Sequence, residues 1–246
     1  YPNEEVIING TEILTGWTKV NSAGIYKTLM NWDFWPEEGA NQIFVDQKMI
    51  NLARWPDQTS NDIVKPTDAV AEKVTVSGQT VTITDNEFNE PDGRWVGAQI
   101  WVNLSHNGAD GQGWTGGKVI STNQGNHTIT FDFPPKYGTP VLGDVPWGMG
   151  KNTEFYLFNP ILSSVNATGG IEALLSAGEW WKNGDTLYLR APNGEAPGEN
   201  AAIKNVIEAK KRGFAFRPSD PLVNRNFTKI RNFTLFATSI TTDNSY

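Results

Sequence analysis

The chain has 246 residues, a formal net charge of −7, no cysteine and an aromatic content of 11%. Its acidic balance, with a pI near 4.9, argues against nucleic acid and anionic membrane surfaces as partners. Without cysteine, disulfides, thiolate catalysis and cysteine-ligated metal sites are excluded. No apolar run approaches the length of a membrane-spanning helix, so we expect no membrane insertion.

The composition favours strands and turns over helices. Glycine occurs 24 times and proline 14 times, and the residues that best support helices are scarce. The length fits one large β domain or two smaller ones. We therefore predict an all-β protein with at most one or two short helices.

Residues 1–65 are predicted to form an N-terminal β segment. The Asn9-Gly10 pair between two apolar runs predicts a hairpin. A second hairpin is predicted where Ile43–Val45 and the apolar residues after position 48 flank a polar turn. The rest of the chain is arranged around this second hairpin. Pro56 cannot donate to a strand ladder, so it marks the strand end, where Trp55 anchors a core.

Residues 66–160 are predicted to form an inserted β-sandwich-like domain. Clean alternation predicts hairpins over residues 73–83 and 118–133. The apolar run of residues 95–104 predicts a central strand between them. The glycine-rich stretch 108–117 predicts a long exposed loop.

Residues 161–246 are predicted to return to the pattern of the first segment. The run Ile171–Leu175 predicts a helical turn or a short helix, and Glu179–Leu189 predicts a hairpin. Because successive side chains of a strand alternate in direction, one of Trp180 and Trp181 should face the core and the other solvent.

The last segment carries a resemblance. The run NFTKIRNFTLFATSITTDNS, from Asn226, resembles a rung of a right-handed parallel β-helix. WDFWPEEGANQIFVDQKMINLARWPD, EWWKNGDTLYLRAPNG and VIEAKKRGFAF are similar to the N-terminal portion of secreted β-helix proteins of the pectin-lyase-like superfamily. The resemblance covers about residues 20–60 and 175–246. It implies that residues 161–246 form the first β-helix coils, with residues 66–160 as an insertion.

The resemblance implies an extracellular or cell-surface protein that hydrolyses or cleaves polysaccharide. Three or more stacked rungs are needed to bury a continuous core, so we expect the coils to continue beyond Tyr246. No family catalytic motif matches, so the catalytic residues stay unknown. The alternative is a non-catalytic structural, adhesive or filament-forming module, which would self-associate through an open β-helix end.

Exposed tryptophans are the predicted polysaccharide-binding residues, because sugar rings stack on indole faces. Trp114 and Trp147 lie in loops rich in glycine and proline, where side chains are often exposed. Trp32 and Trp35, in an aromatic patch, come next. The remaining tryptophans that follow strand patterns are predicted to be core residues: Trp55, Trp95 and Trp101.

Three carboxylates lie beside the aromatic patch: Asp33, Glu37 and Glu38. Paired carboxylates beside aromatics suit glycoside hydrolysis, which needs two carboxyl groups flanking the bond. Solvated turn residues next to core tryptophans would look the same, so both interpretations stay open. Asp57, after Trp55-Pro56, is predicted to be a turn or cap residue.

No cofactor is predicted, with calcium as an open alternative. The two histidines, His106 and His127, have no ligand partner at zinc spacing. The acidic loop DNEFNEPDG, from Asp85 to Gly93, offers the oxygen ligands that calcium prefers but lacks the ordered spacing of a calcium loop.

Six Asn-x-Ser/Thr sequons predict surface glycosylation in a secreted eukaryotic protein, although a chain rich in Asn and Thr also produces sequons by chance. They lie at Asn9, Asn103, Asn126, Asn166, Asn226 and Asn232.

Overall fold

A computed structural model describes residues 6–34, 41–58, 68–104, 113–135, 138–143, 148–158, 169–198, 205–216 and 231–240. Within these ranges the protein is built from β-strands, and most of the strand pairs are antiparallel. The helical elements of these ranges are short: α1 (Gly169–Glu172) and a 3-10 turn at Pro192–Gly194. The predicted all-β class is confirmed. None of the described helices is long and apolar enough to cross a membrane.

An eight-stranded antiparallel sheet contains most of the strands between residues 69 and 158. Its strands are β8 (Arg54–Trp55), β9 (Ala69–Val70), β10 (Lys73–Ser77), β11 (Thr80–Thr84), β12 (Gln99–Asn103), β13 (Gly113–Asn123), β14 (Thr128–Asp132) and β17 (Glu154–Phe158). They are arranged in the order β10-β11-β14-β13-β12-β17-β8, and β9 also pairs with β17. Both predicted hairpins of this region are confirmed. The boundaries 1–65, 66–160 and 161–246 and the sandwich stay predictions.

The remaining strands form two smaller sheets and three pairs. The five-stranded sheet contains β3 (Thr18–Lys19), β4 (Ile25–Leu29), β7 (Asn51–Leu52), β18 (Glu179–Asn183) and β19 (Thr186–Arg190). The four-stranded sheet contains β2 (Thr11–Ile13), β5 (Ile43–Val45), β6 (Lys48–Met49) and β20 (Ile207–Lys210). The parallel pairs are β1 (Ile7–Asn9) with β22 (Thr234–Phe236), β21 (Phe214–Phe216) with β23 (Ser239–Ile240), and β15 (Val141–Leu142) with β16 (Gly148–Met149). A complete coil of a parallel β-helix is not among the described residues.

The stretch from Ile43 to Trp55 connects all three larger sheets. β5 and β6 form the predicted hairpin, and its turn residues Asp46 and Gln47 have positive φ angles of 47° and 65°. The Asp46 carboxylate accepts hydrogen bonds from the backbone N–H groups before β20, including that of Val206 at 3.0 Å. β7 then joins the five-stranded sheet and β8 joins the eight-stranded one.

The predicted hairpin at Asn9-Gly10 is wrong. β1 pairs with β22 and β2 pairs with β20, so these two strands do not pair with each other. Gly10 is needed for close packing instead, because a Cβ atom there would lie 2.4 Å from the Ala237 carbonyl oxygen. The amide of Gly10 donates to the Phe236 carbonyl at 2.9 Å.

The prediction that one of Trp180 and Trp181 faces solvent is also wrong, since both are buried. They do point to opposite faces of β18, but each face is covered by a core. Trp180 packs with the residues of the four- and five-stranded sheets. Trp181 belongs to the core that packs against the eight-stranded sheet. The five-stranded sheet is therefore an internal layer, buried on both faces at this strand.

Trp95 is buried as predicted, but it lies in a turn before β12 and not in a strand. Gly93 and Gly97 have positive φ angles of 80° and 88°, which bend the chain on either side of Trp95. The indole N–H donates to Glu90 at 3.2 Å. The turn thus covers one edge of the core. Trp55 is buried in the same core, as predicted.

Candidate functional site

One face of the eight-stranded sheet carries aromatic and polar side chains, and it begins with the alternation of β12. Ile100 and Val102 are completely buried, whereas Gln99, Trp101 and Asn103 alternate with them and stay half-buried. The sequence QIWVN therefore sends its tryptophan away from the core. The prediction that Trp101 is a core residue is wrong.

Strand β17 provides the neighbours of Trp101 on this face. Tyr156 pairs directly with Trp101 in the register of the two antiparallel strands. Their rings stack with centroids 5.2 Å apart and planes 19° apart. Cross-strand aromatic pairs of this kind stabilise a sheet and hold both rings in fixed orientations.

The row continues onto β8 through a buried cation. The guanidinium carbon of Arg54 lies 4.6 Å from the centroid of the Tyr156 ring. Arg54 also pairs with Asp68, with Nη2 and Oδ1 3.4 Å apart. We call Trp101, Tyr156, Arg54 and Asp68 the stacked row. The Tyr156 ring is held between the Trp101 indole and the Arg54 guanidinium, so contacts within the stacked row fix its orientation.

Burial shifts the titration of both charged members of the stacked row. Burial lowers the pKa of Arg54, and the neighbouring Asp68 carboxylate opposes that change. Burial raises the pKa of Asp68, and Glu154 adds to the rise while Arg54 opposes it. Both shifts disfavour the ionised forms, but arginine stays protonated in proteins, so the row keeps its positive charge.

Hydrogen-bonding groups border the aromatic pair. The Asn103 amide donates to Oε2 of Glu154 at 2.9 Å. The side-chain oxygen of Gln99 is buried and has no hydrogen-bond partner among the described residues. A buried acceptor without a protein partner is uncommon, and a water molecule would satisfy it as well as a ligand hydroxyl.

The strand on the other side of Trp101 is irregular. β13 pairs Thr115 with Trp101, and its register shifts between Ile100 and Trp101. The sequence there is GWTGG, so glycines at positions 113, 116 and 117 add no side chains beside the pair. Bulges and strand glycines often mark places where a ligand approaches the backbone.

Together these groups suit a flat ligand with hydroxyl groups. An indole face buries the C–H surface of a sugar ring, and amide and carboxylate groups around it accept and donate to the hydroxyls. Binding should cost little side-chain entropy, because Trp101 and Tyr156 stack on each other and Arg54 packs on Tyr156 before any ligand binds. The face has the chemistry of a carbohydrate-binding surface.

The structure describes only part of the predicted set of binding tryptophans, which stays a prediction. The backbone of Trp114 lies in β13, paired with Val102, and not in the predicted exposed loop. Its side chain, Trp35 and Trp147 lie outside the described part of the chain. Trp32 is half-buried against the second core, with the Lys211 ammonium 4.6 Å from its ring centroid. One face of Trp32 is therefore occupied by a cation.

Among the predicted carboxylates, Asp33 accepts from the Asn41 amide at 2.7 Å and pairs with Lys182 at 2.9 Å. Burial acts to raise the pKa of Asp33. The hydrogen bonds from Lys182 and Asn41 outweigh this effect, so the pKa is lowered. Glu37 and Glu38 lie outside the described residues. Asp33 thus has a structural role in joining strand β18 to the segment before β5.

Three carboxylates of the predicted calcium loop have protein partners. The Glu87 backbone N–H donates to Asp85 at 2.8 Å, and the Gln124 backbone N–H donates to Asp92 at 2.6 Å. Glu90 pairs with the Arg94 guanidinium at 2.8 Å. No cluster of three or more His, Cys, Asp or Glu residues that would suit a metal ion occurs in the described ranges.

The described sequons differ in exposure and bonding. Asn126 and Asn232 are exposed, the first in the turn between β13 and β14. The amide groups of the others donate to carboxylates, Asn9 to Glu208 at 3.0 Å and Asn103 to Glu154. Asn166 and Asn226 lie outside the described residues. Glycosylation at all six sites stays a prediction.

Comparison with known proteins shows the fold and leaves the family open. No protein-family model matches the sequence, and no curated protein matches it. A solved structure named "Glycoside hydrolase" matches with a TM-score of 0.51 and 16% sequence identity. The match covers 84% of this chain and 32% of that one. The chain is therefore similar in fold to about a third of a glycoside hydrolase.

Sequence reasoning missed the stacked row, although one signal was present. Trp101 lies between two buried β-branched residues and shares its parity with Gln99 and Asn103. Strict alternation assigns it to the polar face of its strand. Its partners Tyr156 and Arg54 come from distant segments, and no pattern in the sequence aligns them with it.

Proposed function

We propose that this chain is part of an extracellular carbohydrate-active β-helix protein, a polysaccharide hydrolase or lyase. The stacked row is the surface on which it binds its polysaccharide. The observation that carries the proposal is the Trp101–Tyr156 pair, half-exposed and held in place by Arg54. Aromatic surfaces bordered by amide and carboxylate groups are the usual design of sugar sites.

Two further observations support the proposal. The structural relative is named "Glycoside hydrolase", and this chain corresponds to a minor part of it. The parallel pairs β1–β22 and β21–β23 fit the beginning of a parallel coil, which the resemblance to pectin-lyase-like proteins implies. In this proposal the stacked row supplies binding, and the catalytic residues stay unknown.

Affinity electrophoresis in gels that contain a neutral β-glucan, a mannan or polygalacturonate tests the proposal. The wild-type protein should be retarded by at least one of them. Trp101→Ala should weaken that binding about tenfold, because it removes a stacking surface worth on the order of 1–2 kcal/mol. Trp32→Ala is the matched control, since it removes a half-buried tryptophan outside the stacked row.

Two outcomes would contradict the proposal. One is equal retardation of wild type and Trp101→Ala in a gel that retards the wild type. The other is loss of binding in Trp32→Ala with binding preserved in Trp101→Ala, which would move the site to the aromatic patch of the N-terminal segment.

A second candidate function is a non-catalytic structural, adhesive or filament-forming module. Large apolar side chains are exposed on the parallel strand pairs, namely Ile7 (46%), Phe216 (38%) and Ile240 (44%). Exposed apolar edges favour association between chains. Light scattering distinguishes the candidates, because this module should form oligomers that Ile240→Lys disperses, while a monomer that binds polysaccharide supports the first proposal.

A further inference from the structure

Two carboxyl groups from distant parts of the chain meet beside one serine. Asp57 follows β8 of the eight-stranded sheet, and Glu179 begins β18 of the five-stranded sheet. The Ser176 hydroxyl donates to Oδ2 of Asp57 at 2.6 Å, and the Ser176 backbone N–H donates to Oε2 of Glu179 at 2.7 Å. Ser176 and Asp57 are 119 positions apart in sequence. The serine thus joins acids that belong to two different sheets.

Each acid keeps one oxygen that no N–H or O–H group in the described structure reaches. These atoms are Oδ1 of Asp57 and Oε1 of Glu179, and both are buried. Both carboxyl groups bind Ser176, so the two side chains are neighbours, and the Asp57 side chain acts on the ionisation of Glu179. Two ionised carboxylates in contact repel each other, and each orphaned oxygen would cost free energy in a dry interior. One proton between them removes both problems at once.

We propose that Glu179 keeps a proton and donates it to Asp57, and that this hydrogen bond latches the eight-stranded sheet to the five-stranded sheet. Loss of the proton leaves two negative charges side by side in a buried junction. The junction then loosens, with the segment between α1 and β18 as the part that gives way. The latch does not depend on carbohydrate binding.

Charged groups on the neighbouring strands are engaged elsewhere. Arg190 is the register partner of Glu179 on β19, but its guanidinium donates to backbone carbonyls, including that of Leu174 at 3.1 Å. Arg54, on the strand before the latch, is paired with Asp68, and its charge also interacts with that of Asp57. The register partner on β7 is an uncharged asparagine. The charge that acts on Glu179 is therefore that of the other acid in the pair.

The direction of the pH dependence follows from the burial of Glu179. Burial raises the pKa of Glu179 from about 4.5 to about 8, and the contact with Asp57 adds to the rise. In the interval between these values the folded protein holds a proton that the unfolded chain releases. Stability from the latch is therefore complete below about pH 4.5 and declines as the pH rises through about 8.

Thermal unfolding across this interval tests the latch. The wild-type Tm should fall by about 5–10 °C between about pH 6 and about pH 9. Glu179→Gln keeps the shape and donates an amide proton to Asp57 at every pH, so its Tm should vary much less over the same range. Glu208→Gln is the matched control, because Glu208 is a buried acid bonded to Asn9 and Thr11. That variant should keep the wild-type pH dependence.

If Glu179→Gln fails to fold, a second measurement on the wild-type protein alone still tests the latch. Infrared difference spectra between about pH 6 and about pH 9 should show the loss of one protonated carboxyl C=O band. A Glu179→Gln profile parallel to that of the wild type would overturn the latch. So would the absence of a carboxyl band in the wild-type spectrum. Neither result bears on polysaccharide binding at the stacked row.

Discussion

The eight-stranded sheet and the four- and five-stranded sheets all contain hairpins, but they differ in how far apart in sequence their most distant strand pairs lie. In the first, hairpins such as Val76 with Val81 pair neighbouring segments. In the second, Ile13 pairs with Glu208 and Ile25 with Arg190. Short loops cost little entropy to close, whereas long-range pairs form only after most of the chain is positioned. The most distant pair of the eight-stranded sheet joins Arg54 to Phe158, whereas the smaller sheets depend on the two ends of the chain meeting.

The two regions are nevertheless joined by a shared core. Trp181 lies on β18 of the five-stranded sheet but packs in the core of the eight-stranded sheet. Its ring stacks on Tyr188 of β19, with centroids 4.9 Å apart. A side chain that belongs to both regions should make them unfold together.

The largest expected effect comes from breaking this shared core. Trp181→Ala should lower the free energy of unfolding by about 3–5 kcal/mol, because it opens a cavity between the two regions. Denaturant unfolding followed by circular dichroism and tryptophan fluorescence measures it. The wild type should show one transition by both probes. Two separate wild-type transitions, only one of them moved by the substitution, would show that the regions are independent.

A pair of glycine substitutions compares the long-range and local regions directly. Gly10→Ala should cost about 2–3 kcal/mol, since its Cβ would meet the backbone of the distant residue Ala237. Gly78→Ala, in the β10–β11 hairpin, should cost only about 1 kcal/mol. It has a positive φ of 62° but open space around the new Cβ. Chemical denaturation of both variants checks this, and equal losses would contradict the close packing at Gly10.

The smallest effects on stability are expected from two ion pairs, one buried and one exposed. Asp68→Asn should cost about 1–2 kcal/mol, because it leaves the buried Arg54 guanidinium without its carboxylate. Lys211→Ala should change stability by less than about 1 kcal/mol, since its pair with Glu12 is 41% exposed on both sides. Urea titrations at low and moderate salt separate the two cases. If the Asp68→Asn difference is as sensitive to salt as that of Lys211→Ala, the Arg54–Asp68 pair is not buried.

The same contrast explains how much of the fold was predictable. The hairpins at residues 73–83, 118–133 and 179–189 follow from alternation and turn residues, and all three are confirmed. The hairpin at Asn9-Gly10 was wrong because glycine serves both turns and close packing, and only the contact with Ala237 decides between them. Local sequence patterns predict pairing between neighbouring strands, but they say little about pairing between strands that are distant in sequence.

The stacked row was harder to predict than the hairpins. Loop position predicts Trp114 and aromatic neighbours predict Trp32 as binding residues, and both stay predictions: the backbone of Trp114 lies in β13, and the Lys211 ammonium lies over Trp32. The exposure of Trp101 follows from the parity of its own strand, while its stacking on Tyr156 depends on a pairing between strands about 50 residues apart. Binding surfaces built across strands need the register before they can be recognised.

The most direct test of polysaccharide binding at the stacked row is an NMR titration of the tryptophan indole N–H signals with a polysaccharide that retards the protein. The Trp101 signal is assigned as the one that Trp101→Phe removes. It should shift on titration, while the signal of Trp181, buried in the core, should not. An unchanged Trp101 signal, with bound polysaccharide shifting the signal of another tryptophan, would contradict the account.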